Sequence, residues 1–468
     1  MTGPRRFPDD FLWGVSTSAY QIEGATSLDG RTPSIWDTFS RLGQCRGATG
    51  DDAADHRRRM RDDVALLAAL GIPAYRFSIA WPRVQPGGTG PASPTGLDFY
   101  RDLVDTLLDH DIEPVATLYH WDLPQALEDR GGWPEREVAY RFAEYAELVA
   151  PALGDRVRHW TTINEPWCAA MLGYAAGIHA PGRADPTAAV AAAHHLLLAH
   201  GLAMDVLRAH TPRDAEIGIT LNPYPVVYAT DTPDDRDDDA VRRIDGIANR
   251  LWYDPVMRGS YPADVLEDLS SVSDLGHIRD GDLAQIARPI DSLGLNYYRR
   301  YHVRWSPGAS ASPSPWPGST DVAFAEPADG RTPTTNGWAV EPDGLLDALV
   351  RVAAEYDPPP LYVHENGGAF LDEPNGNGHI HDDDRVGFLR SHVQACHEAL
   401  AAGVDLRGYF VWSFLDNFEW AEGYSQRFGL VHVDFPTQRR TPKASAWWYS
   451  QLARTNATEP SAGVESSS

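Results

Sequence analysis

Two glutamates, Glu165 and Glu365, stand 200 positions apart, and each has an amide neighbour: Asn164 precedes the first and Asn366 follows the second. Each closes a short apolar run, 159–165 and 361–365, of the kind that forms a buried strand. Carboxyls about 5 to 5.5 Å apart across one bond can cleave a glycosidic linkage with retention. One attacks the anomeric carbon; the other gives a proton to the leaving oxygen and later takes one from water. A lone Asn-Glu-Pro or Glu-Asn-Gly tripeptide is a weak signal, so the case rests on the elements that would bring the two together.

Eight apolar runs, at 11–17, 74–81, 113–121, 159–165, 217–223, 292–298, 361–365 and 408–414, alternate with helical stretches. That alternation is the mark of βαβ units and a parallel sheet, and eight strands suit a closed ring. The helices carry ordinary signals: Val64, Leu67 and Ala68 form a stripe behind Asp62 and Asp63 and stop at Gly71, and Val386, Leu389, Val393, Cys396 and Leu400 do the same before Gly403. A chain of 468 residues exceeds the roughly 250–300 at which single cores usually stop growing, yet it has no internal repeat or dividing linker. The predicted fold is α/β, a single (β/α)8 TIM barrel over residues 1–454 with extended loops at its C-terminal face, followed by a disordered polar tail at 455–468. The acidic run 231–239 reads as a solvated loop or helix start, and the Pro-, Ser- and Gly-rich stretch 305–336 as a loop at the barrel mouth.

In such a barrel, functional groups come from the C-terminal ends of different strands. Those ends here carry Gln21-Ile22-Glu23-Gly24, Arg76 with Trp81, His120-Trp121, Asn164-Glu165, Asn296-Tyr297-Tyr298, Glu365-Asn366, and Trp412 followed by Asn417-Phe418-Glu419-Trp420. Amides, an imidazole and a carboxylate suit fixed hydroxyls, and indole faces suit the apolar side of a pyranose; 15 tryptophans exceed what packing commonly uses. A net charge of -26 excludes nucleic acid and an anionic membrane as partners. No phosphate loop or metal set is present in the sequence, so no metal or cofactor is expected. The three cysteines, Cys45, Cys168 and Cys396, have no CxxC spacing and predict neither a disulfide framework nor a zinc site. With no apolar leader and no run of about 18 apolar residues, a cytoplasmic protein is expected.

The ordered set Tyr75-Arg76-Phe77-Ser78-Ile79-Ala80-Trp81-Pro82-Arg83, Leu118-Tyr119-His120-Trp121-Asp122-Leu123-Pro124, Asn164-Glu165-Pro166, Gly294-Leu295-Asn296-Tyr297-Tyr298, Glu365-Asn366-Gly367 and Asn417-Phe418-Glu419-Trp420 resembles glycoside hydrolase family 1, the β-glucosidase family, from about residue 7 to 449. The resemblance implies Glu165 as acid/base and Glu365 as nucleophile, with Arg76, Asn296 and Tyr298 supporting the nucleophile. It implies sugar contacts from Gln21, His120, Trp121, Asn164, Glu419, Trp420 and Phe428, with Trp412 as stacking floor and Trp338 as leaving-group platform. The implied activity is hydrolysis of terminal, non-reducing, unphosphorylated β-D-glucosyl residues through a covalent glycosyl-enzyme, with side activity on β-galactosides and β-fucosides. The implied partners are small molecules, β-glucosides and cello-oligosaccharides. Glu419, with Gly423-Tyr424-Ser425-Gln426 near it, would repel a 6-phosphate. A non-catalytic sugar-binding barrel is the alternative, and the presence of both glutamates counts against it. A metal-dependent barrel hydrolase is a second, which insensitivity to a chelator would discard. Oligomeric state and aglycone preference are not set by these residues.

Two stretches depart from the family pattern: His364 stands where a threonine usually precedes the nucleophile, and 55–60 is a loose version of an aromatic-containing run. Strand alternation predicts that His364 packs behind the strand, away from Glu365. Core packing is the reading for Trp81, and it competes with a site role at Trp121. His194, His195 and His200 read as structural, and the run His379-Ile380-His381-Asp382 as a loop whose aspartate caps the helix that includes Arg385.

Overall fold

A computed structural model describes residues 6–309, 313–327 and 333–458. Eight parallel strands close into a barrel: β1 Leu12–Ser16, β2 Ala74–Ser78, β3 Glu113–Tyr119, β4 His159–Asn164, β5 Glu216–Leu221, β6 Ser292–Asn296, β7 Leu361–Asn366 and β8 Leu406–Trp412. All eight coincide with the predicted runs. Each strand pairs with its successor, and β8 closes on β1 from Leu12↔Gly408 to Ser16↔Trp412. Several strands stop two or three residues short of the predicted end, because the chain turns out toward the mouth before Trp81, Trp121 and Tyr298.

The outer helices form where the sequence signals them. In Pro94–Asp109, proline opens the first turn, the Ser93 hydroxyl accepts from the Gly96 amide at 3.2 Å, and Leu97, Tyr100, Leu103, Val104 and Leu107 bury one face. Pro186–His210 is long and apolar enough by composition to cross a membrane, yet 78% of its most apolar window is buried inside the protein. Its three buried histidines are partnered there: His194 Nε2 with Asp282 at 2.9 Å, His195 Nδ1 with the Trp133 carbonyl at 3.0 Å, and His200 Nδ1 with the Thr162 hydroxyl at 2.7 Å.

Two register irregularities sit beside the glutamates. On β7 the pairing to β6 goes from Val363↔Leu295 to Glu365↔Asn296, two residues against one. On β4 the pairing to β5 goes from Thr161↔Gly218 to Asn164↔Thr220, three steps against two. A bulge of this kind breaks the alternation of side chains, and the expectation for His364 fails for that reason. His364 turns into the barrel: its Nδ1 lies 2.7 Å from the Thr220 hydroxyl, and its ring stands edge-on to Phe410. Gly294 makes the room, since a Cβ there would fall 2.1 Å from His364 Nδ1. Burial and nearby Arg76 push this imidazole well below its ordinary range, so it is neutral.

At the mouth, part of the predicted loop 305–336 is ordered as a strand. Val322–Ala325 pairs antiparallel with Tyr301–Trp305, which also pairs with Val226–Tyr228. Residues 310–312 and 328–332 of that loop lie outside the described residues. The acidic run starts the helix Asp235–Asp245, with Asp234 and Asp237 forming a capping box. The last helix runs to Thr455, and Asn456 accepts from Trp13 Nε1 at 2.9 Å and donates to the Phe7 carbonyl at 3.0 Å, so order passes the expected break after 454. Residues 459–468 of the predicted tail lie outside the described residues.

A buried ion network backs the segment between β8 and the last helix. Lys443 Nζ reaches Asp416 Oδ1 at 2.8 Å and also pairs with Asp372; Arg385 Nη2 reaches Asp372 Oδ2 at 2.8 Å; Arg427 Nη1 reaches Asp416 Oδ2 at 2.6 Å. Asp382 sits at the N-cap of Asp383–Ala401 but does not cap it, because its carboxylate is drawn to Arg385 and to the Ser445 amide. Breaking a buried pair from one side leaves an uncompensated charge, at about 3–5 kcal/mol. Lys443→Met is therefore expected to lose stability on that order in denaturant unfolding; a loss under about 1 kcal/mol would contradict a structural role for the network.

Candidate active site

The strand ends enclose a cavity of about 700 Å³, lined among others by His120, Glu165, Tyr298, Glu365, Trp412 and Glu419. Trp121, Trp338, Trp420 and Phe428 also line it, while Gln21, Arg76, Asn164 and Asn296 are buried beside it, joined to these groups by hydrogen bonds. Every residue picked from the sequence as a site candidate thus belongs to one constellation.

The two glutamates have opposite partners. Arg76 Nη1 donates to Glu365 Oε1 at 2.7 Å, and the Tyr298 hydroxyl donates to Oε2 at 2.8 Å. Among the described residues no cation contacts Glu165: Asn296 Nδ2 donates to Oε1 at 2.8 Å and the Cys168 thiol to Oε2 at 3.2 Å. Both are buried, 4% exposed for Glu165 and 3% for Glu365. Burial first, then the charge of Glu365, pushes the Glu165 carboxyl up to about 8. Burial raises Glu365 as well, but Arg76, Tyr298 and Asn296 pull it back. In a pair so coupled, the shared proton resides on Glu165.

Asn164 ties the set together. Its Oδ1 accepts from Arg76 Nη2 at 2.6 Å and from Asn296 Nδ2 at 3.0 Å, which fixes its amide, and its Nδ2 donates to His120 Nε2 at 3.1 Å. The His120 proton is thereby placed on Nδ1. Asn366, so similar in the sequence, acts elsewhere. Its Nδ2 donates to the Tyr297 carbonyl at 2.7 Å and its Oδ1 accepts from Tyr409, bracing β7 from behind.

Glu419 sits across the cavity, where Gln21 Nε2 donates to it at 3.3 Å and to Asn417 Oδ1 at 3.0 Å. Burial and the charges of Glu365 and Glu165 raise it to about 8. Trp412 stacks on His120 with ring centres 5.7 Å apart, Trp420 packs 4.6 Å from Trp121, and Trp338 lies 5.6 Å from Tyr298. Trp121 serves packing and site alike, since its Nε1 donates to the Asn164 carbonyl at 2.9 Å. Trp121, Glu165 and Trp420 all take positive φ, at 76°, 45° and 49°. Such backbone costs roughly 1–3 kcal/mol per residue and persists where the surroundings over-determine it.

Sequence reasoning left out several groups that line the cavity: Cys168, Trp167, Tyr224, Tyr301 and His179. Cys168 follows Glu165 by three positions, a spacing that returns to the same side of a helical turn and could have flagged it.

Residues 4–458 match the family model for glycosyl hydrolase family 1. The chain belongs to that family. It is 50% identical to the thermostable beta-glucosidase B of Thermobispora bispora over 97% of this chain and 92% of the relative. It is 47% identical to a bifunctional beta-D-glucosidase/beta-D-fucosidase of Bifidobacterium breve, over 95% and 97%. Among solved structures, the beta-glucosidase of Thermotoga maritima in complex with glucoimidazole superposes with a TM-score of 0.91 at 44% identity, over 97% of this chain and 99% of that one.

For this family 1 chain, the opposite partnering of the two glutamates makes a direct expectation. Removing the guanidinium in Arg76→Met leaves Glu365 buried without its cation, so its carboxyl rises and takes up a proton at neutral pH. Infrared difference spectra should gain a protonated-carboxyl band that vanishes in Arg76→Met/Glu365→Gln; no such band would mean that Arg76 does not govern Glu365.

Proposed function

We propose that this chain is a retaining β-glucosidase that releases glucose from the non-reducing end of unphosphorylated β-glucosides and cello-oligosaccharides. The carrying observation is the opposite partnering of two buried carboxyls at one cavity, one held by Arg76 and Tyr298, the other held by Asn296 and Cys168 and raised to about 8.

Glu365, ionised by Arg76, attacks the anomeric carbon and forms a glycosyl ester while the bond to the leaving oxygen breaks. Glu165 gives its proton to that oxygen, so the aglycone departs neutral. The ester removes the charge on Glu365, the second cause of the high Glu165 value, and Glu165 now remains ionised. It takes a proton from water as the water oxygen attacks the anomeric carbon; the ester breaks, and Glu365 leaves as a carboxylate with Glu165 reprotonated. Asn164, held by Arg76 and Asn296, bonds the sugar 2-hydroxyl in this reading, an interaction that strengthens in an oxocarbenium-like transition state.

Glu419 and Gln21 read the hydroxyls on the far side of the ring, with Trp412 as the floor. A carboxyl at 419 accepts hydrogen bonds from the 4- and 6-hydroxyls and disfavours a 6-phosphate. The side activity on β-fucosides follows from the same arrangement, because losing the 6-hydroxyl leaves the remaining contacts in place; a relative from Bifidobacterium breve carries that dual name.

Acid loss of activity reports Glu365 taking up a proton. Alkaline loss reports Glu165 giving one up, since a general acid works only below its pKa. The alkaline limb of kcat/KM is therefore expected near pH 8. A limb insensitive to Glu165→Gln would contradict this.

The deciding experiment is incubation with a 2-deoxy-2-fluoro-β-glucoside followed by peptide mass mapping. The expected label is on Glu365. In parallel, Glu165→Ala should lose turnover and regain it with azide on a substrate with a good leaving group. A label elsewhere, or no label despite turnover, would overturn the assignment.

A further inference from the structure

The carboxyl of Glu165 meets a thiol that the double displacement does not require. Cys168 is 5% exposed, lines the cavity, and lies with its Sγ 3.2 Å from Glu165 Oε2. The contact is built by local chain geometry. After Glu165, with φ of 45°, the chain enters a π-helical segment, Cys168–Ala175, and the Cys168 amide donates back to the Glu165 carbonyl at 3.0 Å. Such turns often occur at functional sites.

The thiol has one proton, and its surroundings decide where that proton points. Asn222 Nδ2 donates to Sγ at 3.7 Å. With the Asn222 amide on the sulfur, the S–H faces Oε2. Burial and the neighbouring carboxylates keep the thiol far above its ordinary range, so it stays protonated. The other oxygen of Glu165 is occupied by Asn296, whose amide is shared with Asn164. The thiol is therefore the donor dedicated to Glu165.

We infer that Cys168 is a positioning residue for the acid/base carboxyl: its S–H stabilises the ionised form of Glu165 and so favours the second half of the reaction, where Glu165 must accept a proton from water. The inference rests on the proposed role of Glu165. A hydrogen bond to a charged form opposes burial, so without it the carboxyl keeps its proton to higher pH and is less available as a base.

The test compares Cys168→Ala and Cys168→Ser in the full chain, with 2,4-dinitrophenyl β-glucoside, whose leaving group needs no proton. In Cys168→Ala, the acid limb of kcat, set by Glu165 in the glycosyl-enzyme whose hydrolysis is limiting, is expected to move up, so that on the acid side of that limb kcat falls about fivefold, the effect of one hydrogen bond. The value of kcat/KM for that substrate should stay unchanged. On a substrate with a poor leaving group, the alkaline limb of kcat/KM should move up by about half a unit or more. Cys168→Ser, which keeps a donor, should return both toward wild type. A proportional fall of kcat and kcat/KM with an unmoved limb would mean mere packing and would overturn the inference, as would wild-type behaviour in Cys168→Ala. Glu165→Ala, run alongside, separates the two readings. If it shows the azide-rescued loss while Cys168→Ala changes nothing, only the role of Cys168 fails. If it keeps turnover without azide, the role of Glu165 fails, and that of Cys168 with it.

Discussion

A guanidinium and a carboxylate sealed together at the barrel mouth set the protonation of the groups around them. Arg76 is fully buried and its guanidinium lies 2.7 Å from Glu365, so Glu365 is held ionised against a desolvation cost that would otherwise neutralise it. The remaining carboxyls then respond to a fixed negative centre in a medium of reduced dielectric. Burial first, and the charge of Glu365 second, raise Glu165 and Glu419 to about 8. The other arm of Arg76 fixes Asn164, which orients Asn296 and sets the His120 tautomer, so charge and geometry spread from one residue.

Holding such a centre requires the strands to depart from regularity. Bulges on β4 and β7 fall beside the two glutamates, and Trp121, Glu165 and Trp420 carry left-handed backbone. A strictly alternating β7 could not turn both His364 and Glu365 inward. The bulge lets the histidine fill the layer below the cavity as a neutral imidazole while the glutamate reaches the mouth. The ion network of Lys443, Asp372, Asp416, Arg385 and Arg427 anchors the segment that presents Glu419 and Phe428.

The barrel was readable because parallel strands buried on both faces leave unbroken apolar runs, and helices between them leave stripes and caps. The carboxylate pair was readable because motifs at successive strand ends occur in order. Other features were hidden for physical reasons. Period-two reasoning placed His364 on the wrong face, since a bulge leaves no mark in a run such as Leu361–Asn366. Asn164 and Asn366 look alike in the sequence, and only their partners, Arg76 for one and Tyr297 with Tyr409 for the other, part them. Val322–Ala325 lies in a stretch whose Pro, Ser and Gly content reads as loop, and pairing with Tyr301–Trp305 outweighs that composition. Asp382 looks like a helix cap but yields to the stronger pull of Arg385. Cys168 has only its three-residue spacing from Glu165 to mark it in the sequence, and the π-helical turn puts its sulfur against that carboxyl.

Whether the charge on Glu365 holds the proton on Glu165 can be read from a carbon-13 NMR titration of labelled glutamate carboxyls, in the free protein and in the 2-deoxy-2-fluoroglucosyl form. Glu165 should titrate near 8 in the free protein and markedly lower once Glu365 is esterified. An unchanged Glu165 value in the trapped form would contradict the coupling of the two carboxyls.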